Sequence, residues 1–199
     1  MDLHQQEKNK NMDNKLYTKY LLTGAQGTGK TSLIEALPLP INMQKLKGIT
    51  RKVINEKNLT INEYSDNCTQ KHIFDAYERQ LTSNDNYIAE RSLVDVCAYT
   101  WYLVKQGKCS SELLEYQLSK LEKFIANNPK TVHIYLRIEF DIIEDGTRSL
   151  NKEFQSDVDY YIQEILAKYN INYVMVTGSV EERVEQINKI FSYSGWIND

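Results

Sequence analysis

A glycine-rich segment, Gly24 to Ser32, lies between two apolar runs in the first quarter of the chain. Its letters, GAQGTGKTS, fit the pattern G-x-x-x-x-G-K-[ST] at every fixed position. Glycines allow such a loop to turn its backbone N–H groups around a phosphate, while Lys30 supplies a positive charge and Thr31 a hydroxyl for Mg²⁺. The flanking runs, Tyr20 to Leu22 and Leu33 to Leu37, predict a strand before the loop and a helix after it, as this motif requires. The segment therefore predicts a phosphate-binding loop, and the helix adds the positive end of its dipole.

This prediction assigns the whole loop to nucleotide binding. The residues expected to contact the phosphates are Gly24, Ala25, Gln26, Gly27, Thr28, Gly29, Lys30, Thr31 and Ser32. Lys30 is also a candidate catalytic residue, because a cation beside the phosphates can stabilise charge on a transferred phosphoryl group.

Length and charge narrow the class of protein further. The 199 residues suffice for one α/β domain with a full core and are too few for two. The first 15 residues are polar and lack apolar periodicity, so we expect a mobile tail, 1–15, before a single domain, 16–199. A formal net charge of -3 gives no general attraction for nucleic acids.

Cysteine use and hydropathy favour an intracellular location. The three cysteines, Cys68, Cys97 and Cys109, are odd in number and widely spaced, as expected of reduced thiols. No apolar run reaches the length of a membrane span, and the polar start lacks the apolar core of a signal peptide. We therefore expect a cytoplasmic protein, in the host cytoplasm if a phage encodes it, that does not bind membranes.

Strand and helix signals alternate along the chain. The predicted strands are 15–23, 41–46, 87–89, 131–136 and 171–177. The predicted helices are 30–37, 50–54, 70–81, 93–105, 111–125, 157–169 and one that begins after Ser179. Such alternation predicts an α/β fold with a central, mainly parallel five-stranded sheet and helices on both faces.

Glu90, Arg91 and Ser92 follow the apolar run 87–89, where the carboxyl end of a buried strand would deliver charge to a site. Besides a phosphate cradle, phosphoryl transfer needs a carboxylate near the metal and cations near the moving group. Glu90 is therefore a candidate for holding a magnesium-bound water, and Arg91 for binding an acceptor or donor phosphate. The alternative is an ordinary surface ion pair.

In this order, these motifs resemble those of the nucleoside and nucleotide kinases among P-loop proteins. Within them, the chain is similar to a small AAA-named group that is related to the ribosylnicotinamide kinase domain of bacterial NAD regulators and to thymidylate and deoxynucleoside kinases. Glu90 to Tyr99 resembles the group's D/E-R-S-x-x-D-x-x-A-Y stretch, and Asp145 to Arg148 resembles its lid signature. Thr177 to Val184 is similar to its last strand and helix, so the likeness spans roughly residues 20–190.

The resemblance implies a three-layer P-loop kinase fold with a lid at about 138–150, ATP and Mg²⁺ as cofactors, and a nucleotide or nucleoside as substrate. It also allows a homodimer. In kinases of this type a lid arginine approaches the phosphates, which makes Arg148 a further candidate. The implied catalytic residues are Lys30, Glu90, Arg91, Asp95 and Arg148; Thr31 and Glu90 would serve the metal, and Arg51 and Arg91 the substrate.

One departure from the family concerns the acceptor. Relatives that phosphorylate a hydroxyl often carry E-x-x-R after the second strand, where the acid accepts the acceptor's proton, but this segment runs from Gly48 to Arg51. The loss of the acid favours a monophosphate acceptor, because an ionised phosphate needs no general base. Asp95 is the alternative base for a hydroxyl acceptor, or else a carboxylate at a helix start that interacts with the dipole.

Three functions are compatible with these residues. The leading one is an ATP-dependent kinase of a nucleoside monophosphate or nucleoside. In the second, the acceptor is a hydroxymethylated pyrimidine in DNA, as in some phage kinases that resemble this family; a basic channel beside Arg51, Lys52 and Lys57 would favour it, and the net acidity disfavours it. The third is a switch or sensor that binds and slowly hydrolyses ATP without an acceptor, in which Arg51, Arg91 and Arg148 would be superfluous.

Overall fold

The computed structural model describes residues 19–142 and 149–193, so the predicted tail, the middle of the predicted lid (143–148) and Arg148 lie outside the described residues. The strands are β1 (Lys19–Thr23), β2 (Gln44–Leu46), β3 (Tyr87–Ala89), β4 (Val132–Tyr135) and β5 (Tyr173–Met175). The helices are α1 (Lys30–Ala36), α2 (Ile49–Lys57), α3 (Asn67–Thr82), α4 (Leu93–Lys105), α5 (Ser111–Asn127), α6 (Lys152–Lys168) and α7 (Val180–Tyr193). A short 3-10 turn, Asn62–Tyr64, lies between α2 and α3.

The five strands form one sheet in the order β2-β3-β1-β4-β5, and each described pair is parallel. The strand before the phosphate loop is therefore central, with Leu21 opposite Ala89 on one side and His133 on the other. This confirms the predicted α/β fold. Because parallel strands end at the same edge of a sheet, the loops after β1, β3 and β4 meet there.

Side chains of β1 alternate between the two faces of the sheet, which gives the fold its three layers. Tyr20 and Leu22 are buried with α1 and α7, and Leu21 is buried on the opposite face with helices α3 to α6. The first face is closed by Leu33, Ile34, Ile187 and Phe191. In the described part of the chain, no helix combines the length and apolar character that crossing a membrane would need.

Two helices begin earlier than the apolar periodicity predicts, because polar residues cap them. The side chain of Asp66 accepts a hydrogen bond from Thr69 N at 2.8 Å, and α3 begins at Asn67 instead of residue 70. Asn151 accepts hydrogen bonds from the backbone N–H groups of Glu153 and Phe154, and α6 begins at Lys152 instead of residue 157. Each cap satisfies N–H groups that the first turn leaves without a helical partner.

Candidate active site

The loop between β1 and α1 has the backbone shape that its glycines permit. Gly27 and Gly29 have φ angles of 78° and 85°, in the left-handed region that L-residues with side chains rarely adopt. At Gly24 a Cβ atom would overlap the carbonyl oxygen of Leu136, just beyond β4. The loop can therefore curl tightly against the end of β4 only with glycine at these positions.

Lys30, the first residue of α1, folds back across the loop and is only 5% exposed. Its Nζ donates hydrogen bonds to the carbonyl oxygens of Gly24 and Ala25, both at 2.5 Å, and to Thr28 Oγ1 at 3.0 Å. A buried ammonium needs such partners, since desolvation of an unpaired charge is costly. The loop therefore holds a positive charge at its centre, where a phosphate would bind.

Asp95 is hydrogen-bonded to the first residue of the loop. Its Oδ1 accepts a hydrogen bond from Gly24 N at 3.0 Å, and its Oδ2 accepts bonds from the N–H and hydroxyl of Ser92, at 2.9 and 2.6 Å. Ser92 in turn caps α4 in a capping box with Asp95, and the Asp95 side chain is fully buried. This arrangement fits the role at a helix start that the sequence left open for Asp95.

Glu90 connects the phosphate loop to the start of α2. Its Oε1 accepts a hydrogen bond from Thr31 Oγ1, and its Oε2 accepts one from Gly48 N at 3.0 Å. Burial alone would raise the pKa of Glu90, but these two hydrogen bonds and the charges of Arg91 and Lys30 hold it below its usual value. The carboxylate is therefore ionised at neutral pH, beside the hydroxyl predicted to serve the metal.

Arg91 lies on the other side of the same edge, over an aromatic ring. Its guanidinium carbon is 5.1 Å from the centre of the Tyr99 ring, a cation–π contact. Tyr99 Oη donates a hydrogen bond to Gln26 Oε1 at 2.8 Å, and Gln155 Nε2 donates one to Gln26 O at 2.6 Å. Through these contacts, the loop, α4 and α6 fix the wall on which Arg91 lies.

A cleft of about 410 Å³ joins these elements. The loop from Gln26 to Ser32, together with Glu90 and Arg91, lines part of it. The rest is lined by Glu35, Lys47, Gly48, Ile49, Thr50, Arg51, Ile54, Ile61, Asn62, Ser65, Gln70, Ile73, Tyr77, Val96 and Tyr99. The cleft thus extends from the phosphate loop into a compartment between α2, α3 and α4 that is lined by both apolar and polar side chains.

Several polar groups inside this compartment are held in place by hydrogen bonds. Gln70 Nε2 donates to Ser65 Oγ at 2.9 Å, while Gln70 Oε1 accepts from Thr100 Oγ1 at 3.3 Å. Thr50 Oγ1 and Tyr77 Oη lie 3.1 Å apart, and burial raises the pKa of Tyr77 to about 12, so its hydroxyl is neutral at physiological pH. A pocket that combines apolar side chains with fixed polar groups suits a small-molecule ligand.

The structure brings most of the predicted site residues together. Lys30, Thr31, Glu90, Arg91 and Arg51 all line the cleft, whereas Asp95 lies beneath the loop and not among the lining residues. Sequence reasoning missed the polar residues of the far compartment and the supports of the loop, which are Thr50, Gln70, Tyr77, Gln155 and Arg183. No local motif marks them, because each has a hydrogen-bond partner at least 27 residues away in the chain.

A family model described as an AAA domain matches residues 19–183, which include the loop, Glu90 and Arg183. The chain belongs to this family. No curated protein matches this AAA domain protein in sequence.

Solved structures that share the fold of this AAA domain include P-loop kinases. Deoxyadenosine kinase from M. mycoides has a TM-score of 0.64 and 17% identity, over 88% of this chain and 99% of that one. Thymidylate kinase from Candida albicans has a TM-score of 0.59 and 17% identity, over 91% and 95%. The NadR protein, solved with NAD and AMP-PNP, has a TM-score of 0.65 and 14% identity, over 92% of this chain and 50% of that one. The AAA domain therefore has the P-loop kinase fold.

Proposed function

We propose that this AAA domain protein is a Mg²⁺- and ATP-dependent kinase that phosphorylates a nucleoside monophosphate or a nucleoside. One observation carries the proposal: a single cleft joins the phosphate loop to a compartment whose walls include Arg51 and Arg91. A switch that only hydrolyses ATP would need the loop but not the second compartment. The kinase fold of the structural neighbours supports the same conclusion.

On the donor side, the loop would bind the β- and γ-phosphates through its N–H groups, and Lys30 would neutralise their charge. Lys30 already lies within the loop, held by the carbonyl oxygens of Gly24 and Ala25. Its charge would stay close to the γ-phosphoryl group as that group moves to the acceptor. Arg148 is a further candidate for stabilising the charge of that phosphoryl group, and only the family resemblance supports this role.

The residues present fit a magnesium ion. Thr31 offers a hydroxyl and Glu90 an ionised carboxylate, and these two groups are in hydrogen-bond contact. Mg²⁺ prefers oxygen ligands and is commonly bound through one or two protein groups together with substrate phosphates. Thr31 and Glu90 would therefore hold the ion, which would neutralise charge on the donor phosphates.

On the acceptor side, we favour a monophosphate. A phosphate oxygen of the acceptor would attack the γ-phosphorus, and the bond from that phosphorus to ADP would break, with no proton to remove. Arg91 would bind the acceptor phosphate, with Arg51 as a second cation on the cleft wall. Gly48 occupies the position where relatives with a hydroxyl acceptor often carry an acid, and Glu35, which also lines the cleft, is paired with Lys47 at 3.0 Å. Both Asp95 oxygens already accept hydrogen bonds. We therefore assign Asp95 to positioning.

The test is transfer of labelled phosphate from ATP to four samples: a nucleoside, its 5′-monophosphate, DNA that contains 5-hydroxymethylpyrimidine, and buffer. We expect labelled diphosphate from the monophosphate, and no label transfer in the Lys30→Ala variant. Labelling of DNA alone would replace the proposed acceptor with the modified base. Release of inorganic phosphate at the same rate with and without each acceptor would overturn the kinase proposal in favour of a switch.

A further inference from the structure

A buried arginine from the last helix reaches the back of the phosphate loop. Arg183, on α7, is 1% exposed, and its Nη1 donates a hydrogen bond to Thr28 O at 2.6 Å. A Cβ atom added at Gly29 would lie 3.3 Å from the same Nη1, so the guanidinium packs directly against the turn of the loop. Its central carbon also lies 4.8 Å from the centre of the Phe140 ring.

Glu139 holds this arginine from the segment that follows β4. Glu139 Oε2 accepts hydrogen bonds from Arg183 Nη2 at 2.6 Å and from Gly178 N at 2.9 Å. Arg137 Nε lies 3.8 Å from the other carboxylate oxygen. The loop, the end of β4 and the β5–α7 connection are thus joined at one ion pair.

The contact with Thr28 O fixes a peptide group that the phosphate loop uses. In a trans peptide the C=O and N–H point in opposite directions, so the hydrogen bond to Thr28 O directs the Gly29 N–H away from Arg183. In loops of this type such N–H groups face the phosphates. A cation at the carbonyl also polarises the peptide, which makes its N–H a stronger donor.

Stability alone is a poor explanation for this ion pair. Burying a guanidinium costs desolvation free energy that its attraction to a partly exposed carboxylate often fails to recover, and apolar replacements of such pairs are commonly as stable. Among the described residues, the buried Nε of Arg183 has no hydrogen-bond partner, which adds to that cost. A role in the site explains why an arginine occupies this position.

We infer that Arg183, held by Glu139, is a positioning residue of the phosphate loop, which sets the Thr28–Gly29 peptide for binding the phosphates of the donor nucleotide. The inference rests on the proposed function for the identity of that ligand. It predicts an effect on the donor nucleotide that the acceptor does not share.

The test compares Arg183→Met, Arg183→Lys and the double variant Arg183→Met/Glu139→Gln. The double variant removes both charges and keeps an oxygen for Gly178 N–H, so it should recover most of the melting temperature that Arg183→Met loses. ATP affinity should not recover: we expect its Kd, and the KM for ATP, to rise about tenfold or more in both Met variants, with little change in the acceptor's KM. Arg183→Lys, which keeps a positive charge near Thr28 O, should lie between Arg183→Met and wild type.

Lys189→Met is the matched control, since it removes an exposed positive charge from the same helix. It should leave both KM values unchanged. A double variant that binds ATP as tightly as wild type would overturn the inference, as would equal effects on the KM values of donor and acceptor. If the double variant does not fold, wild-type ATP affinity in Arg183→Lys would overturn it.

Hydrogen exchange separates this inference from the proposed function. In protein without nucleotide, a peptide that spans residues 24–33 should exchange faster in the double variant than in wild type or Lys189→Met. If wild type binds no ATP, the proposed function fails, and the exchange rates still decide whether Arg183 orders the loop. Equal exchange in all three proteins would show that it does not.

Discussion

The hydroxyl of Thr31 donates a hydrogen bond to Oε1 of Glu90. This bond joins the residue after the loop lysine to the carboxyl end of β3, 59 residues later in the chain. Both partners offer oxygen atoms at the same point of the cleft, where the proposed kinase needs a metal ion. The contact therefore makes Glu90 the first residue to substitute in a test of the proposed metal site.

Glu90→Gln should lower kcat about 10- to 100-fold, because it removes a charge near the metal while an amide oxygen can still accept the Thr31 hydrogen bond. The Kd for ATP should change much less, since the phosphate loop is intact. Steady-state kinetics over a range of Mg²⁺ concentrations, with ATP binding by calorimetry, measures both effects. Glu56→Gln, on the exposed face of α2, is the control. If kcat and its Mg²⁺ dependence were unchanged, Glu90 would have only a structural role and would not bind the metal.

The free energy of unfolding should depend on pH in a way that reflects the ionisation of Glu90. The folded-state pKa of Glu90 lies below the reference value of 4.5, because hydrogen bonds from Thr31 and Gly48 and nearby positive charges outweigh its burial. Its stabilising contribution should be fully present above about pH 4.5 and be lost as the pH falls through the lower folded-state pKa. Denaturant unfolding of wild type and Glu90→Gln between neutral and acidic pH should give two free energies that converge at acidic pH. A constant difference would contradict the assignment.

Asp95→Asn should destabilise the protein by about 1–3 kcal/mol, because the amide must place an N–H opposite either Gly24 N–H or Ser92 N–H, which are both donors. Urea unfolding measures the change. If Asp95 only positions the loop, the variant should retain transfer to the monophosphate at temperatures where it is folded. A strong preference of wild type for the bare nucleoside, with a folded but inactive Asp95→Asn, would instead make Asp95 the general base.

Lys30→Ala should lower transfer by at least about 10²-fold, because the cation that lies among the loop oxygens is lost where charge develops on the phosphoryl group. Circular dichroism should show the same secondary structure as wild type, since Lys30 belongs to neither apolar cluster. Near wild-type turnover would mean that the loop is not catalytic.

Arg91→Ala should raise the acceptor's KM by about 10- to 100-fold, which corresponds to one charge-assisted hydrogen bond of about 1.5–3 kcal/mol. The KM for ATP should change little. Arg79→Ala, at an exposed position on α3, is the matched control for the loss of an arginine. If Arg91→Ala raised only the KM for ATP, Arg91 would bind the donor nucleotide and not the acceptor.

Local patterns predicted the centre of the site well. The loop motif specifies its own strand and helix, and Glu90 follows a short apolar strand whose end had to reach the same edge of the sheet. The capping box of Ser92 and Asp95 is also local, although the sequence left open whether Asp95 acts as a base. The hydrogen bond to Gly24 N, which decides how Asp95 is positioned, spans 71 residues and has no local signal.

The side chains that support the phosphate loop could not be predicted from the sequence, because they contact it from distant parts of the chain. Gln155 reaches Gln26 across 129 residues, and Arg183 reaches Thr28 across 155. Each is an ordinary polar residue on an amphipathic helix, where the expected position is the solvated face. Only the packing of α6 and α7 beside the loop shows that these two side chains point inward.

The distance along the chain between Thr28 and Arg183 also bears on how the protein is made. At about 5–20 residues per second, translation of the intervening 155 residues takes roughly 8–30 s. During that time β1 and the loop have left the ribosome, but α7 and its arginine have not. The hydrogen bond from Arg183 to Thr28 O therefore forms only after nearly all of the described chain has been made, and until then the apolar strand β1 lacks β4 and α7 as neighbours.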